Sequence, residues 1–88
     1  MICGALIEAR SCERFEALSP VIGGPAGELF HGLKSAEARH FKMYLELARR
    51  AAARTGIDAA ARIDAFADLE AELISGPDEV FRFHSGVP

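Results

Sequence analysis

Apolar residues recur at spacings of three and four along most of the chain, the period of a helix with one buried face. Glycine and proline divide the pattern into three runs. The first, residues 2–18, is predicted to stop at Ser19-Pro20, because a residue before proline avoids the α region. A connector from Pro20 to Gly24 leads into Pro25, a good first-turn residue. The second run reaches about Arg54, roughly 30 residues or about 45 Å at 1.5 Å per residue. Gly56 is predicted to close it in the left-handed conformation, with Arg49, Arg50 and Arg54 suited to the negative end of the helix. Asp58 is predicted to cap a third helix over about 59–75, with Ile63, Phe66, Leu69, Leu73 and Ile74 as its apolar positions and Gly76-Pro77 as its end. The tail from Asp78 to Pro88, with Val80-Phe81-Arg82-Phe83-His84, is too short to assign an element and is expected to pack back as an extended segment. Short connections make successive helices antiparallel neighbours.

The stripe of the second helix is broken by polar residues. From Glu37, helical spacing leads through Phe30, Leu33, His40, Tyr44 and Ala48, so a carboxylate and an imidazole sit on the face expected to be core. Three residues apart, their Cβ atoms lie about 5–6 Å from each other. Each then needs a partner or a metal. Depth from the turn selects what faces them. Glu37 lies 12 positions after Pro25 and Glu8 lies 12 before Pro20, which places both about 18 Å from the turn. Glu13 falls short of the Glu37–His40 midpoint by about 10 Å and is the reserve candidate. Around Glu8 the neighbours at helical spacing, Ala5, Ser11, Cys12 and Phe15, are small or apolar and admit a partner helix.

One Glu on one helix and Glu-x-x-His on its neighbour form half of a di-iron carboxylate site; two such halves give four carboxylates and two imidazoles around two irons. Carboxylates stabilise the charge, imidazoles fix geometry, and open positions remain for dioxygen. Tyr44, one turn beyond His40, is a candidate hydrogen-bond partner of the ligands. The spacing alone also fits a plainer arrangement, with His40 a satisfied core histidine and Glu37 paired to a nearby arginine. Glu70 is expected to be a helix-edge carboxylate paired with an arginine. His31 and His84 have no carboxylate at ligand spacing and are expected at the surface or in the tail. Lys42, Arg49, Arg50 and Arg54 are expected to be a solvated helix face.

Composition narrows the class. The 88 residues make one domain, 50% hydrophobic and 26% charged, which is globular. Alanine, leucine, glutamate and arginine dominate and β-branched residues are few, so the fold class is all-α. A net charge of −3 and a pI near 5.5 exclude a protein that coats nucleic acid generally, though not a local basic patch. Cys3 and Cys12 are nine apart, with no Cys-x-x-Cys and no disulfide framework, and are expected to be reduced thiols. There is no run of 18 apolar residues, and Met1-Ile2-Cys3-Gly4-Ala5-Leu6 lacks the basic start and long apolar stretch of a signal peptide. A cytoplasmic location is the expectation.

Three blocks in order, Ala5-Leu6-Ile7-Glu8-Ala9-Arg10-Ser11-Cys12-Glu13-Arg14-Phe15, Ser35-Ala36-Glu37-Ala38-Arg39-His40-Phe41 and Arg82-Phe83-His84-Ser85-Gly86-Val87-Pro88, resemble the C-terminal half of bacterial tRNA hydroxylases. These are non-haem di-iron monooxygenases that act on methylthio-isopentenyl-adenosine beside the anticodon. The resemblance implies a ferritin-like helical bundle, present here as about three helices: half of the four-helix bundle plus a C-terminal helix and tail. It implies iron as cofactor, dioxygen as co-substrate, an external electron donor and tRNA as substrate, with hydroxylation of the isopentenyl side chain as the reaction. Glu8, Glu37 and His40 match the second half of the family's ligand set, and Arg10, Arg14 and Arg39 are candidates for RNA phosphate. The helices that carry the other half are not among these 88 residues, so the expectation is a truncated or half-site form, completed by a missing N-terminal half or by a homodimer. The alternatives are a ferritin-like metal-binding or redox protein without an RNA substrate, and a non-catalytic helical dimerisation domain.

Overall fold

A computed structural model describes residues 1–80 and residue 82. Three helices follow one another: α1 over Ile2–Ile22, α2 over Gly24–Thr55 and α3 over Ala59–Ser75. No strand occurs among the described residues. This is the expected all-α fold, consistent with a ferritin-like helical arrangement. Phe81 and the last six residues, His84 among them, lie outside the described residues, and with them most of the third resembling block.

The predicted end of the first helix at Ser19-Pro20 is corrected. Pro20 lies inside α1, which runs on to Ile22. Proline's fixed φ is itself helical, so its cost this close to the end is one backbone bond and some crowding against the preceding turn. Ser19 is held in place from outside the helix, because its hydroxyl donates to the Gly27 carbonyl at 2.8 Å. The reversal belongs to Gly23 and Gly24, whose φ values of 64° and 58° lie where only glycine is comfortable. The other boundaries follow the sequence. Gly56 closes α2 at φ 71°, and the Asp58 carboxylate accepts from the Ala61 N–H at 3.1 Å to cap α3.

Contacts along α1 and α2 fix an antiparallel register. Phe15 stacks on Phe30 with centroids 5.2 Å apart, Cys12 Sγ donates to the Lys34 carbonyl at 3.6 Å, and a Cβ on Gly4 would meet the Tyr44 ring at 3.3 Å. The paired numbers sum to between 45 and 48 throughout. Small residues permit the approach: Ala5, Gly27, Ala48 and Ala52 are the buried positions. The third helix lies along the other flank of α1 and runs in the same direction. Cys3, Leu6, Ile7 and Arg10 meet Phe66, Leu69, Glu70 and Leu73 there, and Arg10 is clamped by both oxygens of Glu70 at 2.6 and 2.8 Å.

The helices thus form a thin layer, 48 × 30 × 14 Å, with a radius of gyration of 14.9 Å. A closed globule of this length would have about 12 Å. Among the described residues no large side chain is fully buried, and Leu29, Met43, Leu47, Leu69 and Leu73 are 41–70% exposed. Among the described residues, no further helix lies over Leu29, Met43 and Leu47.

Candidate metal centre

Three side chains meet between α1 and α2, near the middle of α2. His40 Nδ1 lies 3.5 Å from the Glu8 carboxylate and 3.9 Å from that of Glu37. One ligand atom from each of the three falls within 4.8 Å of the other two. The helix rise explains the meeting. Glu37 and His40 are one turn apart on α2, and the antiparallel register carries Glu8 to their depth.

Glu13, the reserve candidate, is elsewhere: it accepts from Arg10 at 2.7 Å on the exposed side of α1. Glu70 is the arginine-paired carboxylate expected. Glu37 has no arginine or lysine within 4 Å among the described residues, and neither has Glu8, so the plainer pairing of Glu37 with an arginine is not the arrangement found. One expectation needs adjustment. The Glu8 and Glu37 side chains are 20% and 19% exposed, but that of His40, expected on a core face, is 50% exposed.

The donor set suits a divalent transition metal. Two carboxylates and an imidazole are the ligands that iron, manganese and zinc accept. Adjacent donors on an octahedral ion with bonds of about 2.1 Å stand roughly 3 Å apart and opposite donors roughly 4.2 Å. The observed separations need only small side-chain movements to match. Three donors leave the coordination of one ion unfilled.

Surrounding charges are largely neutralised away from this centre. The Glu70 carboxylate, then Glu13, hold the Arg10 guanidinium charged well beyond its ordinary range, which removes Arg10 as a free phosphate contact. Lys34 lowers the pKa of the Glu16 carboxyl across the α1–α2 seam, and Glu16 raises that of Lys34. Arg39 and Lys42 are exposed on α2, one on each side of His40 in sequence, and His31 is exposed as expected. Tyr44 is not hydrogen-bonded to the three donors among the described residues. Its ring lies against Gly4, one turn from Glu8 on α1 and from His40 on α2. A small residue one turn before Glu8 was the sequence signal for this contact.

The family described as tRNA-(MS[2]IO[6]A)-hydroxylase (MiaE) matches residues 1–85. The chain belongs to this family. Two curated relatives carry the name "tRNA 2-(methylsulfanyl)-N(6)-isopentenyladenosine(37) hydroxylase". The one from Salmonella typhimurium is 50% identical over 88 residues, all of this chain and 32% of the relative. The one from Pseudomonas putida is 46% identical over 88 residues, again all of this chain and 42% of the relative. The chain therefore spans a third to two-fifths of the length of these MiaE-family relatives. No described helix is long and apolar enough to cross a membrane.

Proposed function

We propose that this chain supplies half of the metal-ligand set of a tRNA hydroxylase, with Glu8, Glu37 and His40 as ligands to a non-haem di-iron centre. The reaction is hydroxylation of the isopentenyl side chain of methylthio-isopentenyl-adenosine in tRNA. The observation that carries the proposal is the convergence of two carboxylates, neither paired with a cationic side chain among the described residues, and one imidazole in a MiaE-family chain. The overall chemistry consumes dioxygen, two electrons and two protons, places one oxygen atom in a C–H bond and releases the other as water. An electron donor is therefore required. Bound iron supplies dioxygen activation.

The residues of the chain do the remaining work. Glu8 and Glu37 are charged acceptors on two different helices, so binding a cation between them also fixes α1 against α2. His40 presents Nδ1 toward the carboxylates, which orients the imidazole before any ion arrives. Tyr44 and Gly4 close the α1–α2 seam one turn away and limit the entry of water from that side. Arg39, exposed and next to His40 in sequence, is the basic residue of α2 proposed to meet phosphate of a tRNA whose modified base is turned toward the centre.

The test combines the chain with the part of the Salmonella typhimurium relative that it does not match, loads both with ferrous iron under anaerobic conditions and then supplies dioxygen, a reductant and tRNA bearing methylthio-isopentenyl-adenosine. The expected product nucleoside carries one additional oxygen in its side chain by mass spectrometry, and Glu37→Ala or His40→Ala abolishes both it and iron retention. Iron retained undiminished in both variants would sink the ligand assignment. Iron bound at these residues with no oxygen transfer to tRNA would favour the ferritin-like metal-binding alternative.

A further inference from the structure

Charge is unevenly distributed along the chain. Residues 39–54 hold five cations, Arg39, Lys42, Arg49, Arg50 and Arg54, against one carboxylate, Glu46, a formal charge of +4 in a chain whose net charge is −3. All five cations are exposed. Elsewhere cations have partners: Glu70 and Glu13 hold Arg10, Glu16 holds Lys34, and Arg62 lies over the face of Phe66. Within 39–54 only Arg50 has a carboxylate, Glu46 at 2.9 Å. Among the described residues, no ion pair or hydrogen bond engages the side chains of Arg39, Lys42, Arg49 and Arg54.

Helix geometry gathers these cations on one side. Tyr44, Ala48 and Ala52 follow at steps of four and turn toward α1, where Ala48 and Ala52 are buried and the Tyr44 ring meets Gly4. At about 100° per residue, Arg39 and Arg50 lie opposite them, with Lys42 and Arg49 along one edge and Arg54 along the other. The helix dipole explains only part of this ridge. It favours cations in the last turn, which holds Arg54, whereas Arg39 and Lys42 lie several turns earlier on α2. From Arg39 to Arg54 the ridge is about 22 Å long. It begins beside His40 and runs away from the centre toward Gly56.

We propose, resting on the tRNA reading above, that this ridge is the docking surface for the RNA sugar–phosphate backbone, with Lys42, Arg49, Arg50 and Arg54 extending the contact that Arg39 begins. A nucleic-acid strand carries one phosphate per roughly 3–4 Å of its axis, so about six phosphates pass along the ridge. Cations without carboxylate partners meet them at no cost in broken ion pairs. The Arg50–Glu46 pair is exposed and worth only about 0.3–0.5 kcal/mol. A lipid surface is the poorer match, because a helix lying on a membrane sinks an apolar face beside its basic one, and the side of α2 opposite this ridge is packed on α1. Contacts of this kind fix position and carry no base sequence. An RNA held along the ridge has its strand beginning at Arg39, next to the centre.

The experiment measures binding of a tRNA anticodon stem-loop against salt concentration, with the chain combined with the unmatched part of the Salmonella typhimurium relative as above. The triple variant Lys42→Gln/Arg49→Gln/Arg54→Gln removes three cations and keeps good helix formers, so circular dichroism should show its helix content unchanged. Its plot of log affinity against log salt is expected to be shallower by about 3, with affinity about a hundredfold lower at about 0.1 M salt. Iron retention is expected to match wild type. Glu46→Gln takes the one carboxylate out of the ridge and is expected to bind the RNA about twofold to fivefold more tightly. A triple variant with wild-type slope and affinity overturns the proposal, and so does a Glu46→Gln variant that binds no more tightly than wild type. Either result leaves the ligand reading standing where iron is still lost in Glu37→Ala. Binding to vesicles of phosphatidylcholine and phosphatidylglycerol in equal parts, with none to the stem-loop, overturns it in favour of a membrane surface. A slope that falls in the triple variant while wild type retains no iron supports the ridge and sinks the ligand reading.

Discussion

At the scale of single residues, the centre is an arrangement that is unfavourable until a cation joins it. Carboxylate oxygens of Glu8 and Glu37 lie within 4.8 Å of each other, and a half-exposed imidazole is the group between them. Like charges at this distance repel by on the order of 1 kcal/mol in a partly solvated setting. Glu37→Gln removes that repulsion while keeping the shape. The apo variant should therefore melt at or above the wild-type temperature and gain nothing from added ferrous iron. A variant that melts clearly below wild type without metal would show that the carboxylate is structural. Glu8 could be preferred to Glu13 from sequence because helix rise turns residue number into depth, and both helices end at the same turn. The exposure of His40 was not legible, since periodicity places it on the apolar stripe and does not tell whether another layer covers that stripe.

At the scale of elements, the α1–α2 pair is set by glycine at its turn and by small residues along its seam. A Cβ on Gly27 would stand 2.6 Å from the Ser19 carbonyl oxygen, a backbone atom that cannot move without shifting the end of α1. A Cβ on Gly4 would meet the Tyr44 ring at 3.3 Å, and a ring can yield by a few tenths of an ångström. Gly27→Ala should therefore cost about 1–3 kcal/mol by overpacking, and Gly4→Ala much less. Thermal melts of the two variants check the order, and equal losses would mean that the turn adapts. The same contact explains why the predicted stop at Pro20 failed. Local sequence rules weigh the proline against helix propensity, whereas Ser19 is anchored to Gly27 across the turn. The caps Gly56 and Asp58 were legible because they are local. The lateral position of α3 was not, because its clamp joins Arg10 to Glu70 across 60 residues, a distance at which a sequence pattern offers only that some arginine will be found.

At the scale of the whole molecule, a thin layer whose buried apolar side chains among the described residues are Ala5, Ala48 and Ala52 has little core to hold it. Half of the residues are hydrophobic, yet large apolar side chains stay on the open face, so this chain alone draws modest stability from burial. Ligand linkage then becomes a large part of the balance. An ion that binds the folded hairpin and not the unfolded chain adds about 2.7 kcal/mol at a free concentration a hundred times its dissociation constant. For a domain of this size each kcal/mol raises the melting temperature by about 4–8 °C, so saturating ferrous iron should raise it by roughly 10–20 °C. Circular dichroism melts under anaerobic conditions, with and without iron, measure the shift. His40→Ala should show none of it, because the remaining carboxylates lack the imidazole that completes the set. A full shift retained in that variant would place the stabilising ion elsewhere on the chain and would separate the fold's need for metal from the centre between α1 and α2.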